Sequence, residues 1–138
     1  RMAEEKNLSS LTVVLDACFS GQSRSGERLI RQASPLTLSV ENPLLMQENA
    51  TVFTAGTARQ VANWYPEKKH GMFTYFFMKG LQGSADLNED RRITAAEMKA
   101  YLTDENEGVP YWSRRIHQRE QIPQVIAANP DRVLVRFR

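Results

Sequence analysis

Apolar residues fall in short runs along the chain, and the runs differ in period. LTVVL, Leu11–Leu15, is continuous and rich in β-branched residues, and it stops at Asp16 and a stretch of small residues. Such a run predicts a strand of a parallel sheet, buried on both faces. TVFT at residues 51–54 predicts a second short strand, followed by the small-residue turn AGTA. From residue 72, MFTYFFMKGL carries apolar and aromatic side chains on nearly every face. It predicts a buried helix that ends near Gly80 or Gly83. Thr94 stands three residues before Glu97, the spacing of a capping box ahead of an amphipathic helix at 94–102. A further short helix is expected at 111–119, and RVLVRF at 132–137 alternates as a final strand does.

Strands separated by helical segments predict an α/β fold around a mostly parallel sheet. Three strands are convincing by pattern, and the first comes almost at once. The sheet is therefore expected to be incomplete, its N-terminal strands supplied from outside this chain. Residues 16–43 between the first two strands have loop composition, with Ser, Gly, Pro and the arginines Arg24, Arg28 and Arg31.

Composition narrows the classes. The 138 residues suffice for one domain or part of one, and 41% hydrophobic with 25% charged residues is ordinary for a globular chain. The net charge is +2, with basic and acidic residues interleaved, so no nucleic-acid arm or basic membrane-surface helix stands out. No apolar run approaches the ~18 residues of a membrane span. Residues 1–10 are polar, unlike a secretory signal. One cysteine cannot form an intrachain disulfide, and a cytoplasmic setting is the default expectation.

That cysteine, Cys18, sits in Asp16-Ala17-Cys18-Phe19-Ser20-Gly21, two residues beyond the end of the first strand's LTVVL run and its closing aspartate. Ligands of open parallel sheets bind outside the carboxyl ends of the strands. Small neighbours let a peptide backbone approach, and the Cys18 N–H could donate to a developing oxyanion. A thiol also needs a base or local positive charge to act as a nucleophile. Taken alone, a single cysteine after a strand is equally a small buried hydrophobe.

VVLDACFSG, residues 13–21, resembles the nucleophile segment of metacaspases and bacterial caspase-like proteases, in which a hydrophobic strand leads into Asp-Ala/Ser-Cys-x-Ser-Gly. HGMFTYFFMKGL (70–81) is similar to the helix after the family's specificity loop, and GSADLNEDRRITAAEMKAYL (83–102) to the segment that follows it. Gln121-Ile122-Pro123-Gln124 is similar to the family's C-terminal end. The resemblance implies a caspase-like three-layer sandwich, of which residues 1–138 are the C-terminal portion, from nucleophile strand to last strand. It implies a cysteine endopeptidase with Cys18 as nucleophile and Asp16 in the pocket that reads a basic P1 residue, Arg or Lys. Asp16 as a plain turn cap is the alternative role.

The family's partner histidine ends the strand before the cysteine's, ~50 residues upstream in caspases. Only 17 residues precede Cys18 here, so the base is expected from an N-terminal fragment of the same protease domain. His70-Gly71 repeats a His-Gly motif, but at a helix start where the family has a non-catalytic one; His117 lies among arginines on an expected solvated face. If P1 is basic, Arg24, Arg28 and Arg31 are candidate processing sites in an exposed loop. An ordinary basic loop is the alternative.

Asp86, Asn88, Asp90, Arg92 through its carbonyl, and Glu97 match ligand positions of a twelve-residue calcium loop, with Ile93 at the hydrophobic eighth position. Arg91 stands at the sixth, where Gly normally makes the turn. Calcium is thus a possible ligand and no cofactor is required; a capped helix behind an acidic turn explains the same letters. Two other functions stay open. One is a caspase-fold pseudoprotease or interaction module in a signalling or defence assembly; the other is a small calcium-responsive module. The partners expected are a protein or peptide substrate and the N-terminal fragment, with neither nucleic acid nor membrane.

Overall fold

The structure, a computed structural model, describes residues 9–16, 49–57, 60 and 62–138. Its centre is β2, Ala50–Thr54, buried at every position. β2 pairs in parallel with β1, Leu11–Leu15, and antiparallel with β6, Gln124–Ala127. The sheet is therefore mixed, and the expectation of a mostly parallel sheet does not hold for the described strands. Three helices lie between β2 and β6 in the chain, and β6, entering from Pro123, returns beside β2 in the opposite direction.

β1 also departs from its expected burial. Its residues alternate between half-buried and exposed, and Val14 is 41% exposed. Cross-strand partners share a face, and Val14 shares one with Phe53, which is wholly buried. Phe53 is covered because Phe77 lies edge-on against it at 5.1 Å; that cover does not extend to β1, the outer strand among the described residues.

Phe77 belongs to α1, Met72–Lys79, whose Met72, Phe73 and Phe76 are buried too. After Lys79 the chain widens into the turn Gly80–Ser84, and Gly83 at φ 128 ends it in a conformation that L side chains avoid. The sequence placed this end correctly. α2, Ala95–Leu102, begins with the expected capping box, and buries Ala95, Met98 and Leu102. α3, Val109–His117, buries Val109, Pro110 and Ser113.

Four further short strands complete the described residues. β3, Trp64–Tyr65, pairs with β4, His70–Gly71, immediately before α1. β5, Arg92–Thr94, pairs antiparallel with β7, Val133–Arg136. The final strand predicted by alternation thus exists but joins β5, outside the central sheet. Mixed α/β content around a core of Phe53, Phe73, Met72, Ile93, Met98 and Leu102 is the result. No described helix is long and apolar enough to cross a membrane.

Candidate functional site

The carboxyl ends of β1 and β2 lie side by side, and the Ala55 N–H continues their ladder to the Leu15 carbonyl at 3.0 Å. The next residue, Asp16, is exposed at this end. Its Oδ2 accepts the Thr74 backbone N–H at 3.3 Å and the Thr74 hydroxyl in a short hydrogen bond. Thr74 is the third residue of α1, and the helix starts at Gly71, which has no side chain to cap it. Asp16 therefore acts as the missing N-terminal cap from 58 positions away, satisfying an orphan N–H and facing the positive end of the helix.

Gly71 is what allows the approach. A Cβ built on it would fall inside the contact radius of Asp16 Oδ2 and come within 3.2 Å of Cγ. The Gly71 backbone, φ −56 and ψ 137, is ordinary for any residue. Glycine is needed here for space and not for conformation. The two expectations for Asp16 are thus not exclusive: the cap exists, though on α1 and not on its own turn, and the carboxylate still reaches solvent.

The segment following β2 is fixed from the other side by buried polar groups that pattern reading passes over. Gln121 donates to the Ala55 carbonyl at 2.9 Å and accepts from the Asn63 N–H at 2.9 Å. Asn63 donates to the Ser113 hydroxyl at 2.7 Å, and Ser113 donates on to the Arg119 carbonyl at 2.6 Å. Gln60 Oε1 accepts from Thr57 and Ile122 N–H groups. Asn63, Ser113 and Gln121 are all buried. A network of this kind fixes a loop in one geometry; its only sequence signal was the Gln-Ile-Pro-Gln turn.

Among the described residues neither histidine hydrogen-bonds to Asp16, although His70 directly precedes Gly71. His70 is exposed in β4. His117 is half-buried, and its Nε2 lies 2.5 Å from the Trp64 carbonyl, so it is not simply part of a solvated face. Cys18, Arg24, Arg28 and Arg31 lie outside the described residues.

A second constellation sits between Gly83 and α2. Carboxylate oxygens of Asp86, Asp90 and Glu97 lie within 4.8 Å of one another. Asp86 accepts from the Asp90 and Arg91 N–H groups, and Asn88 from Asp90. Asp90 accepts the Arg92 N–H at 2.9 Å and pairs with its guanidinium at 3.1 Å. Desolvation works against ionisation of Asp90, but the Arg92 N–H and charge prevail and hold its carboxyl below the usual range. Arg91 takes φ 65, so the sixth position makes the left-handed turn without glycine, as does Glu89 at φ 58.

Glu97 Oε2 accepts from the Thr94 N–H at 2.9 Å, while Oε1 is buried without a hydrogen-bond partner. A buried carboxylate oxygen with no donor costs free energy unless a cation or water meets it. The donor set is all oxygen, which suits a hard cation, and Asn88, the Arg92 carbonyl and Thr94 stand at the remaining pattern positions.

Comparison with family models, with curated proteins and with solved structures returns no match for this chain.

Proposed function

We propose that this chain is the C-terminal part of a caspase-like cysteine endopeptidase domain that cleaves after Arg or Lys. The observation that carries the reading is Asp16: a carboxylate held at the carboxyl end of a parallel strand, two residues before the sequence's one cysteine. Strand ends of this kind are where α/β sheets bind ligands, and a fixed carboxylate selects a cationic side chain. The mixed sheet with its helices is read as one part of the three-layer sandwich, completed by strands of an N-terminal fragment.

In this reading Cys18 Sγ, as thiolate, forms a C–S bond to the scissile carbonyl carbon. The C–N bond breaks, and the amine leaves with a proton from a histidine carried by the N-terminal fragment. The same histidine then deprotonates the water that hydrolyses the thioester, returning free thiol and a carboxylate product. Processing after Arg24, Arg28 or Arg31 follows from the same specificity.

The test is cleavage of peptides with Arg, Lys or Asp at P1 by this chain joined to the histidine-bearing segment. Arg and Lys peptides are expected to be cut, with at least a ~10³-fold loss in Cys18→Ala. Cleavage that survives Cys18→Ala would remove Cys18 as the nucleophile, and no cleavage by a folded, calcium-supplied protein would replace the protease with the interaction module.

A second reading concerns residues 86–97 and is favoured by the orphaned Glu97 Oε1. The loop is proposed to take calcium weakly, because the Arg92 guanidinium already neutralises part of its charge. Calcium would supply charge compensation among Asp86, Asp90 and Glu97 and no chemistry at Cys18. Calorimetry with calcium, with Asp86→Asn as control, tests it; no heat at millimolar ion ends it.

A further inference from the structure

We infer that Asp16 reads the substrate cation with one oxygen, Oδ1, because Thr74 occupies the other, and that Thr74 is thereby a specificity-positioning residue. The inference rests on the proposed protease reading and adds to it how the pocket discriminates. A carboxylate oxygen offers about two lone-pair sites. Both sites of Oδ2 are engaged by Thr74, one by the backbone N–H and one by the hydroxyl. Within the described residues no hydrogen bond reaches Oδ1. The absence of a Cβ at Gly71 lets the carboxylate seat this closely against the start of α1, with Oδ2 turned inward.

A guanidinium gains over an ammonium chiefly by the fork geometry, in which two N–H groups meet two carboxylate oxygens. With Oδ2 committed to the helix, that advantage is withheld. Arg and Lys then meet the same single acceptor and are accepted comparably. Release of the hydroxyl bond reopens a site on Oδ2, which benefits Arg and does nothing for Lys, while a less fixed carboxylate weakens both.

The experiment measures kcat/KM for paired Arg-P1 and Lys-P1 peptides with the complete protease domain and its Thr74→Val and Thr74→Ser variants. The wild type is expected to prefer Arg by less than about tenfold, and Thr74→Val to raise the Arg-to-Lys ratio about fivefold or more, with Lys losing most. Thr74→Ser, which keeps the hydroxyl, is expected to retain the wild-type ratio. A purely structural role lowers both peptides together and leaves the ratio alone, so partial misfolding of Thr74→Val cannot imitate the result. An unchanged ratio in Thr74→Val, or a strong wild-type preference for Arg, overturns the one-oxygen inference while leaving a basic-specific protease in place. A wild type that cuts neither peptide overturns the protease reading and this inference with it.

Discussion

Two helices of this chain start under a carboxylate, and the carboxylates arrive by opposite routes. At α2, Thr94 and Glu97 exchange hydrogen bonds across three residues, so the helix caps itself. At α1 the first residue is preceded by glycine, and the cap is Asp16, brought from the end of β1. Glu97 is half-buried, with one oxygen committed to the cap and the other buried without a partner. Asp16 is exposed, with one oxygen committed and the other outside the cap. The local cap makes a helix start; the long-range cap makes a helix start and also fixes a charge at the mouth of a sheet. Half-used carboxylates at both places explain why each is a candidate site, one for an organic cation and one for a metal.

The largest expected effect separates the two by function. Under the proposed protease reading, Asp16→Ala in the chain joined to its N-terminal fragment is expected to lower kcat/KM for Arg and Lys peptides by about 10²-fold or more, as loss of a charge-paired pocket residue would. Glu97→Gln is expected to change it less than about twofold, because glutamine also completes a capping box. Equal losses in the two variants would mean that both carboxylates are structural, and the contrast would collapse.

The next effect runs the other way. Calcium at about ten times its dissociation constant is expected to stabilise the chain by about 1.4 kcal/mol, read as an upward shift of a few degrees in melting temperature. Glu97→Gln is expected to abolish the shift, and Asp16→Ala to preserve it. A shift that survives Glu97→Gln places the cation elsewhere.

What the sequence disclosed follows the same local-versus-distant line. The capping box and the glycine-terminated helix were legible because each depends on residues within one or two turns. The Asp16 cap was not, because nothing in Asp16 or in Gly71-Met72-Phe73-Thr74 reveals a partner 58 positions off. β1 was misjudged for a related reason. LTVVL has the composition of a doubly covered strand, but cover is supplied by neighbours, and β2 with two threonines received it where β1 did not. The short strands β3 to β5 hold two or three residues each, too few to show any period. Asn63, Ser113 and Gln121 carry no local signal of burial, and their hydrogen bonds are what make that burial tolerable. Asp16 itself was singled out for its place before the cysteine, and the arrangement that qualifies its role, Thr74 on Oδ2, belongs to the tertiary structure alone.

The smallest effect tests the long-range cap directly. Gly71→Ala places a methyl where Asp16 Oδ2 now sits, and an exposed aspartate answers by swinging away, which removes the cap. The expected cost is about 1 kcal/mol from the lost cap, added to the intrinsic penalty of alanine relative to glycine at a helix start. In an Asp16→Ala background the cap is already gone, so only the intrinsic difference remains. The two substitutions are therefore expected to be non-additive by about 1 kcal/mol in urea denaturation, as groups in contact are. The matching pair at the other helix, Gly71→Ala with Glu97→Gln, shares no contact and is expected to add. Additivity in both cycles would show that Asp16 and the start of α1 are neighbours without being coupled, and the carboxylate would then be as free as its exposure suggests.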